Sequence, residues 1–191
     1  MALYNFANPD LVLPSQLAID SSLLLALRPA DDNPHRAEAQ AFIRRLRPKI
    51  MALELVVWLV MPVLQECCHI LLTNHLRRAW QTMPPASRPP NWLAAYKQDP
   101  TLIQSGLPDL AHFDALLAAI PVTVACWQDG VTSAHPLALD ERLRYFIARY
   151  QLLPQDALIL AEAERIGVTA VATLDADWRR AIDFDIYTVL T

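Results

Sequence analysis

The segment "VTAVATLDADW", residues 168–178, is apolar and partly β-branched, then turns acidic at Asp175 and Asp177. Two carboxylates one residue apart at the end of a buried strand admit two explanations. An aspartate there often caps the helix that follows. Close carboxylates also share a divalent cation, because hard ions such as Mg²⁺ and Mn²⁺ prefer oxygen ligands. The associated chemistry is activation of water and stabilisation of an in-line phosphoryl displacement. Without cations, carboxylates gathered within a few ångströms repel one another and some must protonate. The question is therefore whether other acids reach the same place. The candidates are Asp20 in "AIDSS", Glu66 in "PVLQE" and Asp156 in "LPQDALILAEAERIG".

The elements that would position them alternate. "QLAIDSS" predicts a first strand over 16–19 ending at Asp20, and "SLLLALRP" a short helix stopped near Pro29. In "DDNPHRAEAQAFIRRLR", Asn33 is the expected N-cap, with Pro34 in the first helical position. "LELVVWLV" is the second strand, and Pro62 opens a helix with apolar residues at helical spacing. Residues 81–108 are proline-rich and read as a loop-like insertion. "DLAHFDALLAAI" is helical, "PVTVACW" a third strand, "QDGVTSAHP" a turn and "LALDERLRYFIARY" a helix. Pro154 starts the next helix and Gly167 stops it. "VTAVATL" is the fourth strand and "DIYTVL" a fifth. Residues 1–16 read as an arm ahead of one domain spanning 1–191.

Alternating strands and helices imply an α/β fold with a mostly parallel sheet between helical layers. Such sheets bind ligands at the carboxyl ends of their strands. Asp20 and Asp175 directly follow strands, and Asp177 lies two residues further on. Glu66 lies early in a helix leaving that edge, and Asp156 begins a helix antiparallel to the fourth strand, so both are expected there too. Glu54 starts a strand and belongs at the opposite edge. Each of these acids, taken singly, could equally be a capping or solvated charge.

Composition bounds the function. A net charge of −4 excludes a uniformly basic nucleic-acid coat, although local strips remain. Arg179 and Arg180, beside the acidic pair, are the expected phosphate contacts. Arg44, Arg45, Arg47, Lys49, Arg77 and Arg78 read first as charged helix faces. Three glycines cannot assemble a phosphate loop, and three cysteines form no disulfide framework, which suits a reducing cytoplasm. No apolar run is long enough to span a membrane, and the N-terminus has no basic, apolar leader pattern.

"AIDSS", "PVLQE", "LPQDALILAEAERIG" and "VATLDADW" together resemble, in order and spacing, the PIN domain, with the VapC-like toxins of toxin–antitoxin pairs the nearest branch. The resemblance runs from about Leu17 to the C-terminus, omitting 81–108. It implies a three-layer α/β/α sandwich and Mg²⁺- or Mn²⁺-dependent cleavage of RNA. Asp20, Glu66, Asp156 and Asp175 would match the family's acidic quartet and metal ligands, with Asp177 a nearby fifth. Ser22 or Thr173 would orient a carboxylate or a metal-bound water. A homodimer and a cognate antitoxin are the implied partners. The alternatives are a metal-dependent nuclease outside any such pair and an inactive PIN-like scaffold that binds RNA or protein. A haloacid-dehalogenase phosphatase needs D-x-D after its first strand, whereas Ser21 and Ser22 follow Asp20 here. A flap-type nuclease would carry more carboxylates and a DNA-clamping helical region.

Overall fold

The computed structural model describes residues 2–28, 33–125 and 138–190. Six strands form one all-parallel sheet: β1 (Leu3–Asn5), β2 (Gln16–Ile19), β3 (Val56–Val60), β4 (Thr123–Ala125), β5 (Ala170–Ala172) and β6 (Asp185–Thr188). Their order is β1-β6-β5-β2-β3-β4. The central strands are covered on both faces, which is why they read as continuous apolar runs. Leu17, Ala18 and Ile19 of β2 and all three residues of β5 are buried.

Seven α-helices lie among the described residues: α1 (Ser21–Ala26), α2 (Arg36–Met51), α3 (Met61–Thr82), α4 (Trp92–Gln98), α5 (Leu107–Ala119), α6 (Leu139–Tyr150) and α7 (Pro154–Arg165). The architecture is the expected α/β class, a three-layer α/β/α sandwich. Connection handedness explains the layers. The chain steps from β2 to its neighbour β3 through α1 and α2. It later returns from β4, at one end of the sheet, to β5 on the other side of β2, through α6 and α7. Crossovers are right-handed, so connections running in opposite directions along a sheet lie on opposite faces.

The chain forms two compact units, Met1–Leu64 with Ile120–Thr191, and Gln65–Ala119. The first holds the whole sheet. Its largest fully buried side chains include Trp178, Phe6, Phe42, Phe146 and Phe184. Arg142 is also buried here, paired with Glu164 and lying over the Phe146 ring at 4.5 Å. The second unit comprises α3 from Gln65 onward, α4, α5 and two short 3-10 helices, Pro85–Ser87 and Pro100–Gly106. A polar clasp joins its helices: His75 Nε2 lies 2.8 Å from Ser105 Oγ, and Nδ1 lies 3.5 Å from Asp109. Gly106 permits that approach, since a Cβ there would stand 3.2 Å from the His75 ring.

Three local expectations are corrected. The stretch 81–108 is largely helical instead of loop. Pro85 and Pro100 each begin a 3-10 helix, where a missing N–H costs nothing, and Asn91 and Asp99 cap the turns that follow. The N-terminal arm contains β1, which pairs with β6 in the register Leu3↔Ile186. Asn33 does not cap α2. Its side chain accepts from the His35 N–H, closing a turn before the helix starts at Arg36, and α2 runs on through Pro48 to Met51. The turn expected over "QDGVTSAHP" lies outside the described residues.

Candidate functional site

Strands β2 and β5 are neighbours, with Ile19 opposite Ala172. From β2 the chain crosses to the β3 side, and from β5 it crosses to the β6 side. Their carboxyl ends therefore diverge at a topological switch point, the place where open α/β sheets leave a crevice. Asp20 leaves β2 at that point, and its N–H donates to the Ala172 carbonyl at 2.9 Å. Thr173 leaves β5 beside it.

Asp20 is 2% exposed. Its Oδ2 accepts from Ser22 Oγ at 2.6 Å and from Thr173 Oγ1 at 2.8 Å. The two hydroxyl oxygens are only 3.2 Å apart. Each carries one proton, and when both protons go to Asp20 the carboxylate is what holds the pair together. Asp20 also caps α1 through the Ser22 N–H at 3.4 Å, so the structural role coexists with any chemical one. Burial pushes its carboxyl above the ordinary carboxylate range, and the Ser22 and Thr173 hydrogen bonds oppose that. The opposing forces are neutral hydroxyls and amides; no positive side chain contributes among the described residues.

The hydroxyls extend the network to the next segment. Ser22 Oγ accepts from the Leu174 N–H and Thr173 Oγ1 from the Asp175 N–H, both at 2.9 Å. Asp175 is half-buried and caps the 3-10 helix Ala176–Arg180 by accepting from the Asp177 N–H at 2.8 Å. Asp177 is exposed and paired with Arg180 at 3.0 Å. Arg179 donates to the Leu190 carbonyl. Of the two arginines expected to meet phosphate, Arg180 already neutralises Asp177.

Asp156 occupies the first turn of α7 and is 9% exposed. Its neighbour Gln155 donates from Nε2 to the Pro62 carbonyl at 2.9 Å. Pro62 lies two residues past the carboxyl end of β3, so this bond fixes the start of α7 at the same edge as Asp20. Glu54, expected at the opposite edge, precedes β3 and pairs with Lys49 at 2.5 Å. Glu66 is half-buried in the second turn of α3 and belongs to the Gln65–Ala119 unit.

Among the described residues, no group of three or more His, Cys, Asp or Glu side chains is close enough together to hold a metal ion. The carboxylates on the edge are hard oxygen donors, the type that Mg²⁺ and Mn²⁺ prefer. Mg²⁺ typically keeps several waters and binds through one or two carboxylates plus substrate phosphate, rather than in an all-protein cage. The Ser22 and Thr173 hydroxyls bond Asp20 Oδ2, and its Oδ1 lies 3.4 Å from Ser21 Oγ.

Sequence reasoning missed Gln155 and Ser21. Gln155 carried a weak signal, a polar side chain next to the Pro154 helix start. Ser21 was visible in "AIDSS" but indistinguishable there from a helix-start serine. Compared with known proteins, the chain matches no protein-family model, and no curated protein matches it significantly.

Proposed function

We propose that the chain is a divalent-metal-dependent endoribonuclease of PIN type, and that it serves as the toxin of a toxin–antitoxin pair. The observation that carries this proposal is Asp20: a buried carboxylate at the switch point, held by two hydroxyls. A buried ionised carboxylate without a cation is costly. A bound Mg²⁺ or Mn²⁺ would offset that cost, and would also stabilise the charge that develops on a phosphodiester under attack.

In this scheme Asp20 is the principal metal ligand. Ser22 and Thr173 orient it, and Thr173 couples it to the backbone of Asp175. Asp175 and Asp156 are the further acids proposed on the same edge, although no three of these carboxylates are close enough together to share one ion directly. Asp177 is assigned a lesser part because Arg180 holds it. Arg179 and Arg180 are exposed beside the edge and are the side chains proposed to meet RNA phosphate. Glu66 enters the set from its place early in the helix after the second strand and from the sequence resemblance; the antitoxin and the homodimer enter from the resemblance alone.

A second reading is an inactive PIN-like scaffold that binds RNA or protein. The lack of a three-carboxylate group among the described residues favours it. One experiment separates the two. Purified protein is incubated with total RNA in Mn²⁺ and in EDTA, alongside Asp20→Asn and Glu54→Ala. The nuclease requires cleavage in Mn²⁺ only, lost in Asp20→Asn and retained in Glu54→Ala. Binding of RNA without metal-dependent cleavage would establish the scaffold.

A further inference from the structure

At the amino edge of the sheet, away from Asp20, the chain encloses a groove of about 460 Å³. That is within the range of small-molecule sites, roughly 300–1,000 Å³. One wall is the segment before β2, with Leu11, Val12 and Leu13; the other is the last turns of α2, followed by Glu54 and Leu55. The lining is mostly apolar, and Val12 is 82% exposed on it.

Three charges face the groove: Arg45, Lys49 and Glu54. Lys49 and Glu54 pair with each other. Arg45 pairs with no carboxylate among the described residues. Its guanidinium donates to four backbone carbonyls instead, those of Phe6, Asn8, Pro9 and Leu11, with bonds of 2.6–3.3 Å. These bonds pin the wall in place and leave the groove one positive charge in excess.

We propose that this groove is a binding site for a small amphiphilic anion, an aliphatic body ending in one carboxylate. The aliphatic part covers Leu11, Val12, Leu13 and Leu55. The anionic end lies over Lys49, whose ammonium carries three donors and gives one to Glu54, with the charge of Arg45 nearby although its Nη donors are taken by carbonyls. The site is separate from the Asp20 edge and does not depend on the nuclease assignment.

The test is a titration of the full chain with sodium octanoate, followed by methyl NMR of the leucines and valines. Two controls accompany it: 1-octanol, which keeps the chain without the charge, and acetate, which keeps the charge without the chain. Octanoate is expected to give saturable shifts at Leu11, Val12, Leu13 and Leu55, at least about tenfold tighter than octanol, a difference of roughly 1.4 kcal/mol. Acetate is expected to give none. Lys49→Glu should weaken octanoate about tenfold or more. Glu54→Gln, which adds no new charge and frees Lys49, should tighten it. The proposal is overturned if octanol binds as well as octanoate, if the shifts fall elsewhere or do not saturate, or if neither substitution changes the affinity.

Discussion

Asp20 caps α1 and is buried at the switch point, and both roles leave an acid whose charge is expensive. Its folded carboxyl is raised above the unfolded value of 3.8, with burial as the main cause. The sign follows from proton linkage. A raised acid contributes stability that is present in full below its unfolded pKa and is lost as pH rises through the folded pKa. In EDTA, Asp20→Asn should therefore melt a few degrees above wild type at neutral pH. The gap should narrow as pH falls toward 3.8 and be absent below it. The same variant should lose metal-dependent cleavage, since stability and activity oppose each other at functional sites. Thermal melts across pH check the first part, and a lower melting point for Asp20→Asn at neutral pH would make Asp20 a purely structural cap. Thr173→Val should behave differently. It removes a donor to Asp20 and the acceptor of the Asp175 N–H, so it should cost about 1–3 kcal/mol in a urea titration, with Thr173→Ser restoring most of it.

At the scale of elements, two junctions carry measurable energy. Leu53, in the turn from α2 to β3, has φ 58° and is 91% exposed. A side chain in the left-handed region costs roughly 1–2 kcal/mol, and an exposed leucine makes little packing to lose. Leu53→Gly should thus leave stability unchanged or raise it by up to about 1 kcal/mol, after glycine's unfolded-state entropy is counted; a clear loss in urea would mean that Leu53 is packed. The second junction joins α6 to the turn before β6. Tyr150 donates to Asp183 at 2.5 Å, and Arg149 pairs with the same carboxylate at 2.9 Å. The Tyr150 bond comes first among the causes that hold Asp183 below its ordinary value. Its contribution is present above the unfolded pKa of 3.8 and is lost as pH falls through the folded value. Tyr150 itself is pushed up to about 12, by burial first and then by its bond to Asp183. Its contribution is present below pH 10 and is lost between pH 10 and about 12. Tyr150→Phe should therefore flatten the fall in stability across that alkaline window, as measured by urea midpoints. Tyr187, also pushed up to about 12 by burial, accounts for part of whatever fall remains.

For the whole molecule, the metal proposal predicts a ligand effect on stability. A cation that binds only the folded chain stabilises it by mass action, about 2.7 kcal/mol at a hundred times its Kd. Millimolar Mn²⁺ should raise the melting temperature of wild type and of Glu54→Ala equally, and should leave Asp20→Asn almost unmoved. An equal rise in all three would place any bound Mn²⁺ away from Asp20. No helix among the described residues is long and apolar enough to cross a membrane.

Much of this protein is written locally. β2, β3, α5, α6 and α7 follow from apolar periodicity, and α7 is bounded by Pro154 and by Gly167 at φ 78°. These signals lie within a few residues of the structure they specify. Strand β1 does not, because three residues carry no alternation and its partner β6 lies at the other end of the chain. The same limit applies to the candidate site. The sequence by itself put Asp20 and Asp175 each at a strand end. Only the pairing of β2 with β5, about 150 residues apart, brings Thr173 Oγ1 to 2.8 Å from Asp20. The difference between Asp175 and Asp177 is local as well: Asp175 directly follows the strand, and Asp177 pairs with Arg180 three residues on, within the same 3-10 helix. Tertiary structure decided the charge balance of the amino-edge groove, since nothing in the spacing of Arg45 shows that it would spend its donors on four carbonyls. A strand or a cap is the work of adjacent residues, whereas a site belongs to whichever chain segments the sheet order makes neighbours.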